Sequence, residues 1–353
     1  MGFDYKFYKN KKVLVTGCTG FKGSWICRIL MNLGAEVYGY SLLPQSDYSL
    51  FDILKLNKEI PVQFGDVRSI ESLKCVFDKF SPEIVIHMAA RTLVRESYDD
   101  PVSTYSTNVM GTVNVLECCR LSDSVRSVIN VTTDKVYKNK ESERGYRETD
   151  ELNGYDPYSN SKSCSELVTS TYKNSFFKQK NISVSAVRSG NVIGGGDFAA
   201  DRIIPDCVRA ASQNKVIMVR NPDSVRPYQH VLESLAVYLD IAAKQYENRS
   251  YEDCYNVGPK ESGCIKTSVL VDEFCRLWGN GVKWNVEPEE NPVYESGLLK
   301  LNCSKLQRRF GWSPKWNIYE ALLRTVDWYK HWLNKSNVIE LTDFQIKEFF
   351  YCN

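Results

Sequence analysis

Short runs of apolar and β-branched residues recur through the first half of the chain, at 13–16, 36–40, 62–65, 84–87, 128–132 and 182–188. Between them lie longer stretches with apolar residues at helical spacing, at 21–33, 69–80, 102–121 and 158–174. Runs this continuous suit strands buried on both faces, and their alternation with helices predicts an α/β fold, a doubly wound parallel sheet of about six strands. After Asn191 the rhythm breaks at Gly194-Gly195-Gly196-Asp197. Helices are then expected near 203–213, 232–245, 269–277 and 318–333, with few strong strands between them. The expected division is a large sheet domain over 1–190, to which later segments return, and a smaller, mainly helical C-terminal part over 191–353 that supplies the substrate side of a cleft.

The turn after the first run narrows the fold to a Rossmann type. Thr16-Gly17-Cys18-Thr19-Gly20-Phe21-Lys22-Gly23 leaves a strand and opens a helix, so its backbone amides can meet a pyrophosphate where the helix dipole is positive. Gly17, Gly20 and Gly23 serve a tight turn, close approach of phosphate, and packing of helix on strand. Gly17, Thr19, Gly20, Phe21, Lys22 and Gly23 are therefore candidate cofactor-binding residues. The acidic residue that usually grips an adenosine ribose is missing from Ser41-Leu42-Leu43-Pro44, and Asp47 arrives late. No Arg or Lys lies between Ser41 and Leu54 to receive a 2′-phosphate, which favours NAD over NADP. Asp66 and Val67, just past the third run, either cap a helix or flank the adenine.

Tyr158 and Lys162 stand four residues apart on a predicted helix, one turn from each other on one face. A Lys held beside a Tyr favours the phenolate, which can take a proton from an alcohol while hydride leaves the same carbon. Thr132-Thr133-Asp134-Lys135 ends the fifth predicted strand, and in doubly wound sheets the C-terminal strand ends carry the chemistry. Adjacent Asp and Lys on a strand point to opposite faces; at a strand end turning into a loop or helix both can enter the cleft as an acid and a base. The other reading is an ordinary solvated pair.

These motifs together resemble the CDP-glucose 4,6-dehydratases. The resemblance runs in order through the glycine turn, His87-Met88-Ala89-Ala90, Asp134-Lys135, Gly145-Tyr146-Arg147-Glu148, Tyr155-Asp156-Pro157-Tyr158-Ser159-Asn160-Ser161-Lys162, Gly190-Asn191-Val192-Ile193-Gly194-Gly195-Gly196-Asp197 and Arg226-Pro227-Tyr228-Gln229-His230-Val231. Relatives acting on dTDP-glucose carry Asp-Glu where this chain has Asp134-Lys135. The resemblance implies that Tyr158 takes the proton of the sugar 4-hydroxyl, that Thr133 holds that hydroxyl, that Lys135 is the base at carbon 5, and that Asp134 is the acid that releases the 6-hydroxyl as water. It also implies cofactor contacts from Ala89, Ala90 and Thr132, substrate contacts from Asn191, Arg202 and Arg226 around the diphosphate, and a homodimer. Arg91-Thr92 stand where the family usually has Gln-Pro, in a loop that borders the sugar, so both are candidate substrate contacts. Phe198 and Tyr228 replace two usual Trp, and 141–144 replace an aromatic-rich loop.

Composition adds limits. Forty-five Lys and Arg nearly cancel 43 Asp and Glu, so charge does not recruit nucleic acid or an anionic membrane. Twelve Cys and three His are scattered without zinc spacing, so no metal is expected, and the many thiols suit a reducing cytoplasm. The first residues show no apolar signal core, and no apolar run reaches membrane-spanning length. A 4-epimerase shares the glycine turn and the Tyr-Lys pair but has no use for Asp134-Lys135. A scaffold that merely binds NAD is disfavoured by the presence of all four catalytic candidates.

Overall fold

A computed structural model describes residues 5–44, 48–287 and 297–352. Among the described residues twelve strands follow in chain order: β1 (Lys12–Thr16), β2 (Glu36–Ser41), β3 (Val62–Phe64), β4 (Ile84–His87), β5 (Ser127–Thr133), β6 (Ser183–Ser189), β7 (Asn191–Ile193), β8 (Ile217–Val219), β9 (Val225–His230), β10 (Cys254–Val257), β11 (Cys264–Lys266) and β12 (Trp284–Val286). Seven form one sheet in the order β10-β6-β5-β4-β1-β2-β3, and every pairing in it is parallel. From β1 the chain winds one way through β2 and β3 and the other way through β4, β5 and β6. The order reverses between β1 and β4, and the crevice beyond their C-terminal ends is where such sheets bind ligands.

The sheet is held from both sides. Val13 and Val15 join a core with Trp25, Ile29, Leu235 and Leu239, from the helices Phe21–Asn32 and Val231–Glu247. Leu14, between them, joins the opposite core with Leu73, Val76, Val115 and Leu116, from Ile70–Phe80 and Gly111–Leu121. The two-residue period of the strand thus feeds two apolar layers. Each fully buried aliphatic chain contributes about 1.5–3 kcal/mol.

The helix expected over 102–121 is broken into Pro101–Tyr105, a π turn Ser106–Met110, and Gly111–Leu121. The π turn aims Asn108 sideways: its amide donates to Arg91 O at 3.0 Å and Ser161 Oγ at 2.9 Å, and its oxygen accepts from Arg91 N at 2.9 Å. One side chain thereby fixes the loop after β4 against the helix Pro157–Tyr172. Bulges of this kind concentrate at functional sites.

Beyond β6, β7, β9 and β11 make a second sheet, while β10 returns to the first. The rhythm breaks at Gly194-Gly195-Gly196 because the backbone passes directly over Trp328: a Cβ on Gly195 would stand 2.0 Å from its Cγ. Gly196 also takes φ +84°, and Trp25 Nε1 donates to Gly195 O at 3.0 Å. The helix Val338–Tyr351 was not among the expected elements. Among the described residues no helix is long and apolar enough to cross a membrane.

Candidate active site

The glycine turn closes as its spacing predicts. Gly17 has φ +75°, and a Cβ there would lie 2.7 Å from Ala89 N, so the turn lies directly against the chain leaving β4. A Cβ on Gly23 would meet Gly17 O at 2.0 Å, which forces glycine where helix crosses turn. Gly20 differs: its Cβ would meet only Gly17 O at 3.4 Å. Gly20 is also the N-cap of Phe21–Asn32, with no side-chain cap, so the first amides of that helix are left for an anion. Thr19 Oγ1 ties the turn to the end of β2 through Ser41 Oγ at 2.7 Å and Leu42 O at 3.0 Å. Thr16 Oγ1 accepts from Met88 N and Ala89 N, both at 3.2 Å. Phe21 is partly buried against the core, and Ala90 is half-buried beside Ala89.

Just past β3, Asp66 accepts from Arg68 N at 2.9 Å and from its guanidinium at 2.6 Å, which holds the carboxyl below its usual range. The following helix is capped by Ser69 instead, so the capping reading of Asp66 does not hold. Val67 is buried against Gly111. Ser41 to Pro44 carry no cation, and Asp47 lies outside the described residues.

Where β5 ends, Thr133 Oγ1 accepts from Lys135 N at 3.4 Å and donates to Asp134 Oδ1 at 3.0 Å. This cap turns the strand into the short 3-10 helix Asp134–Val136, so Asp134 and Lys135 do not alternate as they would on a strand. Asp134 is 2% exposed, and its Oδ2 has no hydrogen-bond partner among the described residues. Burial pushes its pKa up, against the opposing pull of Lys135, Thr133, Arg226 and Lys22. Lys135 is half-buried beside it.

Tyr158 reaches the same spot from the first turn of Pro157–Tyr172, which Asp156 caps by accepting from Ser159 N at 2.9 Å and which Pro157 starts. Tyr158 is 9% exposed, and Thr133 and Asp134 both lie near enough to its phenol to shift it, so phenol, hydroxyl and Asp134 carboxyl form a row. Here the structure departs from the sequence expectation. Burial pushes the Tyr158 pKa up to about 12, while Lys162 donates to Val131 O at 3.1 Å and is itself pulled down to about 8, by burial first and then by Lys22. In the chain by itself desolvation outweighs the opposing pulls of Thr133 and Arg202, and the phenol stays protonated. Thr132 points to the other face, where its hydroxyl donates to Glu166 Oε1 at 2.6 Å, so only its backbone borders the crevice.

Cations surround this row. Lys22 donates to Tyr238 OH at 3.3 Å and is pulled down to about 8 by burial and then by Arg202. Arg202 donates to Asp197 Oδ2 at 2.9 Å and Thr92 Oγ1 at 3.0 Å, and its charge reaches Tyr158. The buried Arg226 holds Val225 O at 3.0 Å, and Asn191 opens β7 opposite Tyr228 of β9. Arg91 pairs with Asp100 at 3.3 Å and Glu96 at 3.7 Å, while Thr92 is exposed. Sequence reasoning missed Asn108, Tyr238 and Glu166. The available signal was the polar stripe Ser161, Ser165, Glu166 and Thr169 on a helix that turns out to be buried.

Comparison with known proteins settles the family. The model described as GDP-mannose 4,6 dehydratase matches residues 14–325, which include the glycine turn, the end of β5 and Tyr158. The chain belongs to this family. Within reach of the family, the CDP-glucose 4,6-dehydratase of Salmonella typhimurium is 44% identical over 352 residues, covering 98% of each chain. The UDP-glucose 4-epimerase of Thermus thermophilus, solved in complex with NAD, superposes with a TM-score of 0.77 at 25% identity, over 90% of this chain and 98% of that one. The dTDP-glucose 4,6-dehydratase of Bacillus anthracis gives a TM-score of 0.75 at 20% identity, over 93% and 99%, and shares the fold.

Proposed function

We propose that this enzyme is an NAD-dependent hydro-lyase that converts a CDP-hexose, CDP-D-glucose above others, into the CDP-4-keto-6-deoxy sugar. The observation that carries the reading is Asp134: a buried carboxyl with one open oxygen and a raised pKa, in a row with Thr133 and Tyr158. An acid in that place serves loss of water and has no use in a 4-epimerase. The 44% identity to an enzyme acting on CDP-glucose supports the nucleotide. Arg91 finds its counter-charges in Asp100 and Glu96, which favours the hexose over a substrate altered to meet a new cation.

The residues fit NAD. Gly20 leaves room beside an uncapped helix terminus for the pyrophosphate, with Gly17, Thr19, Phe21, Lys22 and Gly23 around it, Asp66 and Val67 toward the adenine, and Ala89, Ala90 and the Thr132 backbone along the crevice. When bound, NAD would supply the hydride acceptor for carbon 4 and the hydride returned to carbon 6, and Arg202 places positive charge near the phenol. Tyr158 takes the 4-hydroxyl proton while Thr133 holds the oxygen. Lys135 removes the proton on carbon 5, which the 4-ketone has acidified, Asp134 gives its proton to the departing 6-hydroxyl, released as water, and Lys135 then returns a proton, exchanged with solvent, to carbon 5 as carbon 6 is reduced. Arg202, Arg226 and Asn191 hold the diphosphate from the later part of the chain, with Arg91 and Thr92 toward the sugar.

We further propose a cytoplasmic homodimer. Its twelve cysteines are free thiols, and Val102, 79% exposed, lies with exposed Met110 and Leu167 on helices that pack side by side. Denaturing the purified protein releases mainly NAD; recovery of mainly NADP contradicts the reading of the 41–44 loop. Among CDP-, dTDP-, UDP- and GDP-glucose, only the CDP-sugar gives a 4-keto chromophore at full rate. Equal or faster turnover of another nucleotide overturns the substrate assignment.

A further inference from the structure

Below the reacting groups lies a buried polar network that the mechanism does not use. Arg188 of β6 and Glu166 of the Tyr158 helix are each 2% exposed and face each other squarely: Arg188 Nε donates to Glu166 Oε1 at 2.8 Å and Oε2 at 2.9 Å, and Nη2 donates to Oε2 as well. Glu166 Oε1 also accepts from Thr132 Oγ1, the residue before Thr133. On the other side, Arg188 Nη1 donates to Tyr137 OH at 2.7 Å and its guanidinium lies 4.9 Å from the centre of that ring. Tyr137 OH donates in turn to Asn256 Oδ1 at 2.5 Å, and the Tyr137 ring stacks on Tyr146 with centroids 5.0 Å apart and planes 11° off parallel. Asn256 Nδ2 donates to Tyr146 O at 2.7 Å and Asn302 O at 3.2 Å.

The network grips the turn Thr133-Asp134-Lys135 at both ends. Thr132 is held at the entrance and Tyr137 at the exit, and both holds lead through Arg188 and Glu166 to the helix that carries Tyr158 and Lys162. Glu166 stands one helical turn after Lys162 and two after Tyr158. We propose that Tyr137 is a positioning residue for the elimination step, anchoring Asp134 and Lys135 relative to Tyr158 through its hydroxyl. The inference rests on the dehydratase reading above. Its physical basis is that the oxidation at carbon 4 needs Tyr158 and Thr133, whose places are set by the helix and by β5, whereas the acid and base for carbons 5 and 6 ride on a turn of three residues whose far side is held by hydrogen bonds to Val136 O, from Ser163 Oγ at 2.7 Å and Asn153 N at 3.0 Å, and by the Tyr137 hydroxyl, the side-chain hold that joins this end to Arg188 and Glu166. A small displacement of such groups costs a large share of rate.

Tyr137→Phe tests this in the intact enzyme. It keeps the ring, its stack on Tyr146 and its face toward Arg188, and leaves the Glu166–Arg188 pair whole. Removing Arg188 instead would strand a buried carboxylate and threaten folding. With CDP-glucose in heavy water, the variant is expected to keep KM and the single-turnover rate of carbon 4 oxidation within about twofold, while exchange at carbon 5 and formation of 6-deoxy product slow about tenfold. Tyr146→Phe, which removes a hydroxyl bonded to Asn139 Oδ1 and Lys140 N on the same aromatic stack, is expected to change neither. Elimination at the parent rate in Tyr137→Phe overturns the proposal, and so does an equal fall in oxidation and elimination, which marks general loosening. If the parent enzyme itself yields no 6-deoxy product, the dehydratase reading fails first and takes the proposal with it; the parent control separates the two failures.

Discussion

Asp134→Asn is expected to oxidise its substrate and then stall. The substitution replaces the acidic oxygen of a buried group by an amide nitrogen that cannot serve as the acid, while keeping its shape and its bond from Thr133, and it leaves Tyr158, Lys162 and the glycine turn untouched. Without a carboxylic acid at Oδ2, the 6-hydroxyl must leave unaided. Loss of one general acid costs about 10²- to 10⁴-fold, so elimination becomes the slow step by a wide margin. Rapid mixing with CDP-glucose then shows a burst of reduced-nicotinamide absorbance that persists, with little 6-deoxy product. A variant that makes 6-deoxy product at the parent rate removes Asp134 from the mechanism.

Tyr158→Phe is expected to fail one step earlier. The phenol feels both the Thr133 hydroxyl and the charge of Arg202, which oppose the effect of its burial. Because burial holds this phenol up to about 12 in the chain by itself, its conversion to a base depends on cations gathered around it when cofactor and substrate are bound. The variant loses at least about a hundredfold in carbon 4 oxidation, with no burst and no exchange at carbon 5, while still releasing NAD on denaturation. Near-normal hydride transfer places the base elsewhere.

The sequence made the sheet legible because its central strands are buried on both faces. β1, β4, β5 and β6 lie within one residue of the apolar runs that predicted them, since a parallel strand under two helical layers has nearly no polar face to blur the pattern. β10 escaped for the opposite reason: Cys254-Tyr255-Asn256-Val257 is short, and Asn256 is acceptable in the sheet only because Tyr137, Tyr146 and Asn302 meet it from distant parts of the chain. The candidate site was legible as residue types at fixed spacings, Tyr158 with Lys162 and Asp134 with Lys135. What spacing does not carry is environment. Whether Asp134 and Lys135 share a cleft was decided by one Thr133 hydroxyl that caps a turn, and whether Lys162 governs Tyr158 was decided by burial and by the carbonyl of Val131.

The central claim is that the chain removes water across carbons 5 and 6 of a CDP-sugar, and one product analysis tests it. CDP-D-glucose is incubated in heavy water with the enzyme and its own bound cofactor, without added reductant, and the nucleotide sugar is examined by NMR and mass spectrometry. A dehydratase gives a 4-keto-6-deoxy product, lighter by one water before exchange, with deuterium at carbon 5 and no net NADH. A product that keeps its 6-hydroxyl and its carbon 5 proton and is only inverted at carbon 4 contradicts the claim.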